Sequence, residues 1–139
     1  MTEVIMSNQR QHQNLEHEQI IADMHAQFKP VFDTSPMGVY LYLDDAHKIC
    51  NQRMATMFGM TVEEWGATPT FLADFVDESD QDVVANNYQH HIAQLTHPTT
   101  FRFKARRKNG ETFMAETDMI PISWQGYPVA YHFVREVRG

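Results

Sequence analysis

The sequence holds one cysteine, Cys50, in 139 residues. A single thiol excludes an intrachain disulfide and suits a reducing compartment. Basic residues are also scarce. Eleven Lys and Arg stand against eighteen Asp and Glu, giving a formal net charge of -7. A nucleic-acid partner is therefore not expected, because binding phosphates needs a positive field. No apolar run approaches the roughly 20 residues of a transmembrane helix. The opening "MTEVIMSNQRQHQNLEHEQ" has neither the basic stretch nor the apolar stretch of a secretory signal. There is no internal repeat, no phosphate loop and no nucleophile beside a base. A cytoplasmic, single-domain protein or fragment is the expectation.

What is present suits a packed core. Hydrophobic residues make up 42%, with nine Met and nine Phe as bulky, adaptable groups. Residues 1–13 are weakly patterned and are expected to fray. From Leu15 onward, Ile20, Ile21, Met24 and Phe28 recur at helical spacing, which predicts an amphipathic helix bounded by Pro30 and Pro36. "GVYLYLDD" alternates and is rich in strand formers, and "KICN" begins a second strand. Asn51 is placed to cap a helix that Gly59 ends. Thr61 and Glu64 have capping-box spacing, and "TPTFLADFV" reads as a short helical connection.

Ser79 with Asp82 predicts the start of a longer helix that Pro98 closes. Val84, Tyr88, His91, Ile92 and Leu95 share one face of it. Three strands follow. The first alternates Phe101, Phe103 and Ala105 with Arg102, Lys104 and Arg106. Asn109-Gly110 predicts a type I′ hairpin turn, and Gln125-Gly126 a second turn. The fold class is α+β: a five-stranded antiparallel sheet, short helices on one face and an N-terminal amphipathic helix.

Four pieces, in order, resemble the PAS (S-box) sensory domain family. They are "FDTSPMGVYLYLD", "ICNQRMATMFGMTVEEWGA", "FVDESDQDVVANNYQHHI", and "FRFKARRKNGETFMAETDMIPI" with "GYPVAYHFVREV". The resemblance implies a PAS domain over residues 28–139, with residues 1–27 as a helical extension serving as linker or dimerisation element. It also implies a sensory module that dimerises and relays a signal to a C-terminal effector, such as a histidine kinase or diguanylate cyclase. The family commonly ends its last strand with Asp-Ile-Thr, where this chain has Glu136 or Val137. A piece of a longer protein and a stand-alone module both accommodate that ending.

The candidate site is a cleft between helices and sheet. Tyr88 and Ile92 would face Phe101, Phe103, Ala115, Thr117 and Met119, and Tyr88, Thr117 and His132 would supply polar atoms for a small ligand. A core filled by Phe and Met is the alternative. The sequence names neither the ligand nor a cofactor, and a site without any cofactor is among the readings it allows. Flavin-adduct chemistry in the family uses a cysteine in a Gly-Arg-Asn-Cys-Arg-like motif, which this chain lacks; Cys50 reads as a small buried residue. A haem-binding gas sensor is the runner-up, with His91 on the apolar helix face. The family's haem ligand, however, sits earlier, nearer Ala85. No metal site is read from the eight histidines, since no pair has helical i, i+4 spacing with acidic support. A small α+β cone enzyme would need Asp118 buried with a raised pKa, whereas strand parity turns Glu116 and Asp118 outward. Finally, the stripe Ile20, Ile21, Met24 and Phe28 predicts a homodimer in which the helix packs on its own sheet and on a partner together.

Overall fold

The computed structural model describes the backbone of residues 2–137 and the side chains of residues 11–137. The chain opens with α1 (Thr2–Thr34), followed by β1 (Gly38–Asp44) and β2 (His47–Cys50). Three short helices come next, α2 (Gln52–Met57), α3 (Val62–Gly66) and α4 (Phe71–Phe75). After α5 (Gln81–Asn87) the chain ends in β3 (Thr99–Arg106), β4 (Thr112–Trp124) and β5 (Tyr127–Val137). The strands form one antiparallel sheet in the order β2-β1-β5-β4-β3.

The last strand thus lies at the centre, between β1 and β4. Helices α2 to α5 cover one face of the sheet, and α1 lies across the other. This double cover explains the composition of β1. Alternate residues point to opposite faces, so Tyr40 joins the helix side while Val39, Leu41 and Leu43 pack under α1. The main core joins Met54, Phe58, Trp65, Phe75, Phe103 and Ala115. The second core joins Ile20, Met24 and Phe32 of α1 to Leu41, Val129 and Tyr131.

Asn51 fastens the helix side to the sheet. Its Oδ1 accepts from the N–H groups of Met54 (2.9 Å) and Val39 (3.0 Å), and its Nδ2 donates to the Met37 carbonyl. The neighbouring Gly38 is pressed against α2, where an added Cβ would lie 3.0 Å from the Met54 sulfur and 3.2 Å from its Cα. Only a glycine fits there without displacing backbone. Thr61 and Glu64 form the expected capping box on α3.

Several expectations are corrected. Pro30 does not end the first helix, which continues to Thr34 with Pro30 exposed. An interior proline costs about 3 kcal/mol; burial of Phe32 and partial burial of Val31 beyond it offset that cost. Residues 2–13 are helical as well. Asp77, not Ser79, caps the turn before α5: its carboxylate accepts from both the N–H and the hydroxyl of Ser79.

The type I′ turn expected at Asn109-Gly110 forms at the second hairpin. Gln125 (φ 51) and Gly126 (φ 85) both have positive φ, as a type I′ turn requires, and Trp124 pairs with Tyr127 across them. At the other hairpin only Gly110 (φ 90) does. There Gly110 N–H donates to the Arg107 carbonyl and Arg107 N–H to the Glu111 carbonyl, giving a three-residue loop with glycine in the left-handed position. Asn109 serves instead through its side chain, which accepts from the Glu111 N–H.

Candidate ligand cleft between helices and sheet

Past Asn87 the helix widens to a π turn over Tyr88–Ile92, closed by a bond from the Ala93 N–H to the Tyr88 carbonyl. Such wide turns recur at functional sites. This one adds a residue to the helical register. Val84, Tyr88 and Ile92, four apart, therefore stay on the sheet side. His91 and Leu95 are carried off it, contrary to the shared face expected of all five. The His91 ring bonds to the His97 carbonyl at 3.0 Å instead, and Leu95 ends the segment at φ 49, 43% exposed.

Between this helix and the sheet lies a cleft of about 200 Å³. Tyr40 and Tyr42 of β1, Phe71 and Leu72 of α4, and Val84, Ala85 and Tyr88 form its walls, with Met119 and His132 contributed by the sheet. Its surface is mostly apolar, with Gln89 and the tyrosine hydroxyls as polar groups beside His132. His132 is 2% exposed. Its ring stacks on Tyr40, with centroids 3.8 Å apart and planes within 5°. Neither ring nitrogen has a hydrogen-bond partner of normal geometry. Burial pushes its pKa down from 6.5 to about 3, although backbone groups of Tyr40 and Ala130 oppose part of that shift. The ring is neutral, with a buried donor and a buried acceptor both unanswered. An unmet polar group of this kind costs about 1–3 kcal/mol.

Of the residues singled out in the sequence, Tyr88, Met119 and His132 line the cleft. Ile92 is fully buried against Met119 and Ala130. Phe103 and Ala115 lie deeper, within the main core, and Phe101 packs partly buried beside them. Thr117 is buried with its hydroxyl unpaired but does not reach the cleft wall. Sequence reading missed Tyr40, Tyr42, Phe71, Leu72, Val84, Ala85 and Gln89 as wall residues. Strand alternation put Tyr40 and Tyr42 on a common face, but only packing decides which face.

Outside the cleft, the charged groups hold each other. Glu116 pairs with Arg102 at 2.7 Å and also with Arg135, whose other nitrogen meets Asp118 at 3.0 Å. Hydrogen bonds from Arg102 and then Arg135 hold Glu116 below the usual carboxylate range. Arg135, and less strongly Thr100, does the same for Asp118. A catalytic base at Asp118 needs the opposite: burial and a raised pKa. Cys50 is buried beside α2, and burial pushes its thiol up to about 12, far from a reactive thiolate.

The sequence profile of the PAS fold matches residues 47–135. The chain belongs to the PAS-fold family. No curated protein matches it. Among solved structures, a PAS domain from a two-component sensor histidine kinase is 19% identical at a TM-score of 0.63, covering 84% of this chain and 99% of that one. The PAS domain of a protein from Colwellia psychrerythraea is 16% identical at a TM-score of 0.66, covering 82% and 97%. The PAS domain of a LuxR-family transcriptional regulator from Burkholderia thailandensis, in complex with ethanol, is 16% identical at a TM-score of 0.61, covering 79% and 96%. At these identities the likeness is one of fold. Among the described residues, no helix is long and apolar enough to cross a membrane.

The buried histidine gives this PAS domain an expected acid sensitivity. His132 is neutral when folded down to about pH 3, but in the unfolded chain it takes up a proton below about 6.5. A lowered folded pKa confers stability that is complete above the unfolded pKa and is lost as pH falls toward the folded one. Between pH 8 and pH 5 this group alone removes about 2 kcal/mol. Urea unfolding of the wild type at both pH values, beside His132→Phe, checks it. The wild type should lose about 2 kcal/mol more than the variant. Equal losses would mean the ring reaches a proton acceptor or water.

Proposed function

We propose that this PAS domain is a sensory module whose helix-side cleft takes a small, mostly apolar ligand with one hydrogen-bonding group, received by His132. The observation that carries the reading is the pairing of an apolar cleft with a single buried, unpartnered polar ring. Ligand pockets place a few oriented polar groups in apolar walls in this way. An apolar cavity of about 150 Å³ holds a benzene ring, so a cleft of about 200 Å³ suits a short alcohol, an aldehyde or a substituted monocycle. The ethanol held by the Burkholderia thailandensis PAS domain falls within this class. Ligand entry would press on the π turn at Tyr88 and on Tyr40 and His132 of adjacent central strands. That changes the sheet on which α1 lies.

The output in this reading is a homodimer that shifts through α1 and drives an effector domain such as a histidine kinase or diguanylate cyclase. Kinase-derived PAS domains of like fold support the link to a histidine kinase effector. On a single chain, Ile21 and Phe28 are only partly buried, which leaves them for a partner's helix. The domain itself is not a catalyst in this account.

A panel of short alcohols, aldehydes and monocyclic aromatics, followed by ligand-observed NMR on the full chain, tests the cleft. At least one class should bind, Ala85→Phe should abolish binding while the fold persists, and His132→Phe should weaken it about tenfold. Binding by none of them, or equal binding by both variants, overturns the ligand reading. Sedimentation tests the dimer separately: a wild-type chain that stays monomeric at high micromolar concentration overturns it.

A further inference from the structure

On the sheet face opposite the cleft, three potential metal ligands converge from α1, β1 and β2. His17 of α1 and His47 of β2 each direct Nδ1 at the carboxylate of Asp44, on the β1–β2 hairpin. His17 Nδ1 lies 2.7 Å from Oδ2 and His47 Nδ1 lies 2.7 Å from Oδ1. The donor atoms all lie within 4.8 Å of one another. Among the described residues this is the one such group. We propose that His17, Asp44 and His47 form a binding site for a divalent transition cation of the zinc type, which clamps α1 to the hairpin.

Two imidazole nitrogens and one carboxylate oxygen are the donor set that zinc, cobalt and nickel accept. Calcium and magnesium ask for oxygen throughout. Three protein ligands leave one coordination position for water, as in exchangeable zinc sites. The surroundings provide for it. A solvent-open recess of about 300 Å³, bordered by Gln13 and Asn14, lies over the three side chains. A bare hydrogen-bonded fastener has no need of such an opening.

The His17 ring is held for ligation. It meets the His47 ring edge-on at 5.3 Å and the Tyr127 ring edge-on at 5.1 Å, and both it and His47 are largely buried. Its Nε2 is buried and has no partner, so the Asp44 contact is the one hydrogen bond fixing the ring. Binding exchanges the two Nδ1···carboxylate contacts for three bonds to the cation, with the proton of each neutral ring on Nε2. The net charge of -7 favours cation approach. Because α1 contributes one ligand and the hairpin two, occupancy couples directly to how firmly α1 is seated. This input is separate from the ligand cleft and does not rest on it.

The experiment uses the untagged full chain, stripped with chelator and titrated with Zn²⁺ by calorimetry. One ion per chain at micromolar affinity or tighter is expected. Co²⁺ should give the visible bands of a four-coordinate site, and Mg²⁺ should not compete. His17→Gln and Asp44→Asn should each weaken zinc at least about tenfold, while His97→Gln should not. Zinc should slow amide exchange across residues 11–20 in the wild type and not in His17→Gln. Histidine side-chain nitrogen NMR of the wild type, which needs no variant, should show zinc at Nδ1 of His17 and His47. No heat at high micromolar zinc, binding that survives both variants, or nitrogen shifts at other histidines would overturn the site and leave the cluster a hydrogen-bonded fastener.

Discussion

Trp65→Ala is expected to remove about 3–5 kcal/mol of stability, the usual range for truncating a fully buried large aromatic. Trp65 is wholly buried at the centre of the helix-side core. Its ring stacks on Phe75 at 5.1 Å with planes within 9°, and it meets Tyr40 at 5.3 Å and Phe71 at 6.2 Å. Its neighbours are fixed on α4 and β1, so they cannot close over the void. A further loss comes from Lys48, whose Nζ lies 6.0 Å from the ring centroid and donates to the carbonyls of Asp45 and Thr68. Burial already lowers the Lys48 pKa, and water admitted by the void would draw its ammonium away from those carbonyls. Urea unfolding at neutral pH should show a lower midpoint with an unchanged slope. A loss below about 1.5 kcal/mol would mean that Phe71 and Phe75 collapse into the space, and the cleft wall with them.

Much of this arrangement was legible because the signals were local or strictly periodic. Period-two alternation sorted Phe103 and Ala105 from Arg102 and Lys104, and set Ala115, Thr117 and Met119 against Glu116 and Asp118. As helix caps, Asn51, Thr61 and Glu64 act on backbone groups three residues away, so spacing alone found them, whereas the bonds from Asn51 to Val39 and Met37 were not legible. The misreadings arose where long-range packing overrides local preference. Pro30 stays helical because Phe32 has a sheet to reach. The turn at Asn109 forms within a loop whose Lys108 N–H donates to the distant Phe58 carbonyl, which no turn rule includes. The helix after Ser79 widens at Tyr88, and a fixed 3.6-residue period then misplaces His91.

The candidate sites were the least legible part, for a related reason. A cleft is a difference between what several elements bring and what they fill. Tyr88, Met119 and His132 could be named from their patterns. Tyr40 and Phe71 enter only because their strand and helix happen to face the same space. His17 and Asp44 lie 27 positions apart. A search for paired histidines on one helix cannot bring them together, yet the docking of α1 does so without any further contact being needed.

Met24→Glu is expected to release α1 from the sheet. Met24 is 0% exposed, packed with Ile20 and Phe32 over Leu41, Val129 and Tyr131. A carboxylate there would lose the methionine's burial, worth about 1.5–3 kcal/mol, and would be stranded in an apolar layer. The chain has a cheaper way out: α1 can lift off and carry the charge to water. The loss is then capped by the docking free energy of α1, and about 3 kcal/mol or more is expected in urea unfolding. A helix of this composition is marginal on its own, so the released segment should melt. Amide exchange should accelerate across residues 11–34 while Phe103, Ala115 and Val134 stay protected in the sheet. Ile21→Glu separates this from dimerisation. Ile21 is only partly buried on the single chain, so that variant should keep exchange protection in α1, and it should shift sedimentation only if a partner's helix lies there. If Met24→Glu leaves both stability and α1 protection unchanged, α1 is not seated on its own sheet in solution. The clamp proposed at His17 would then lose its footing as well.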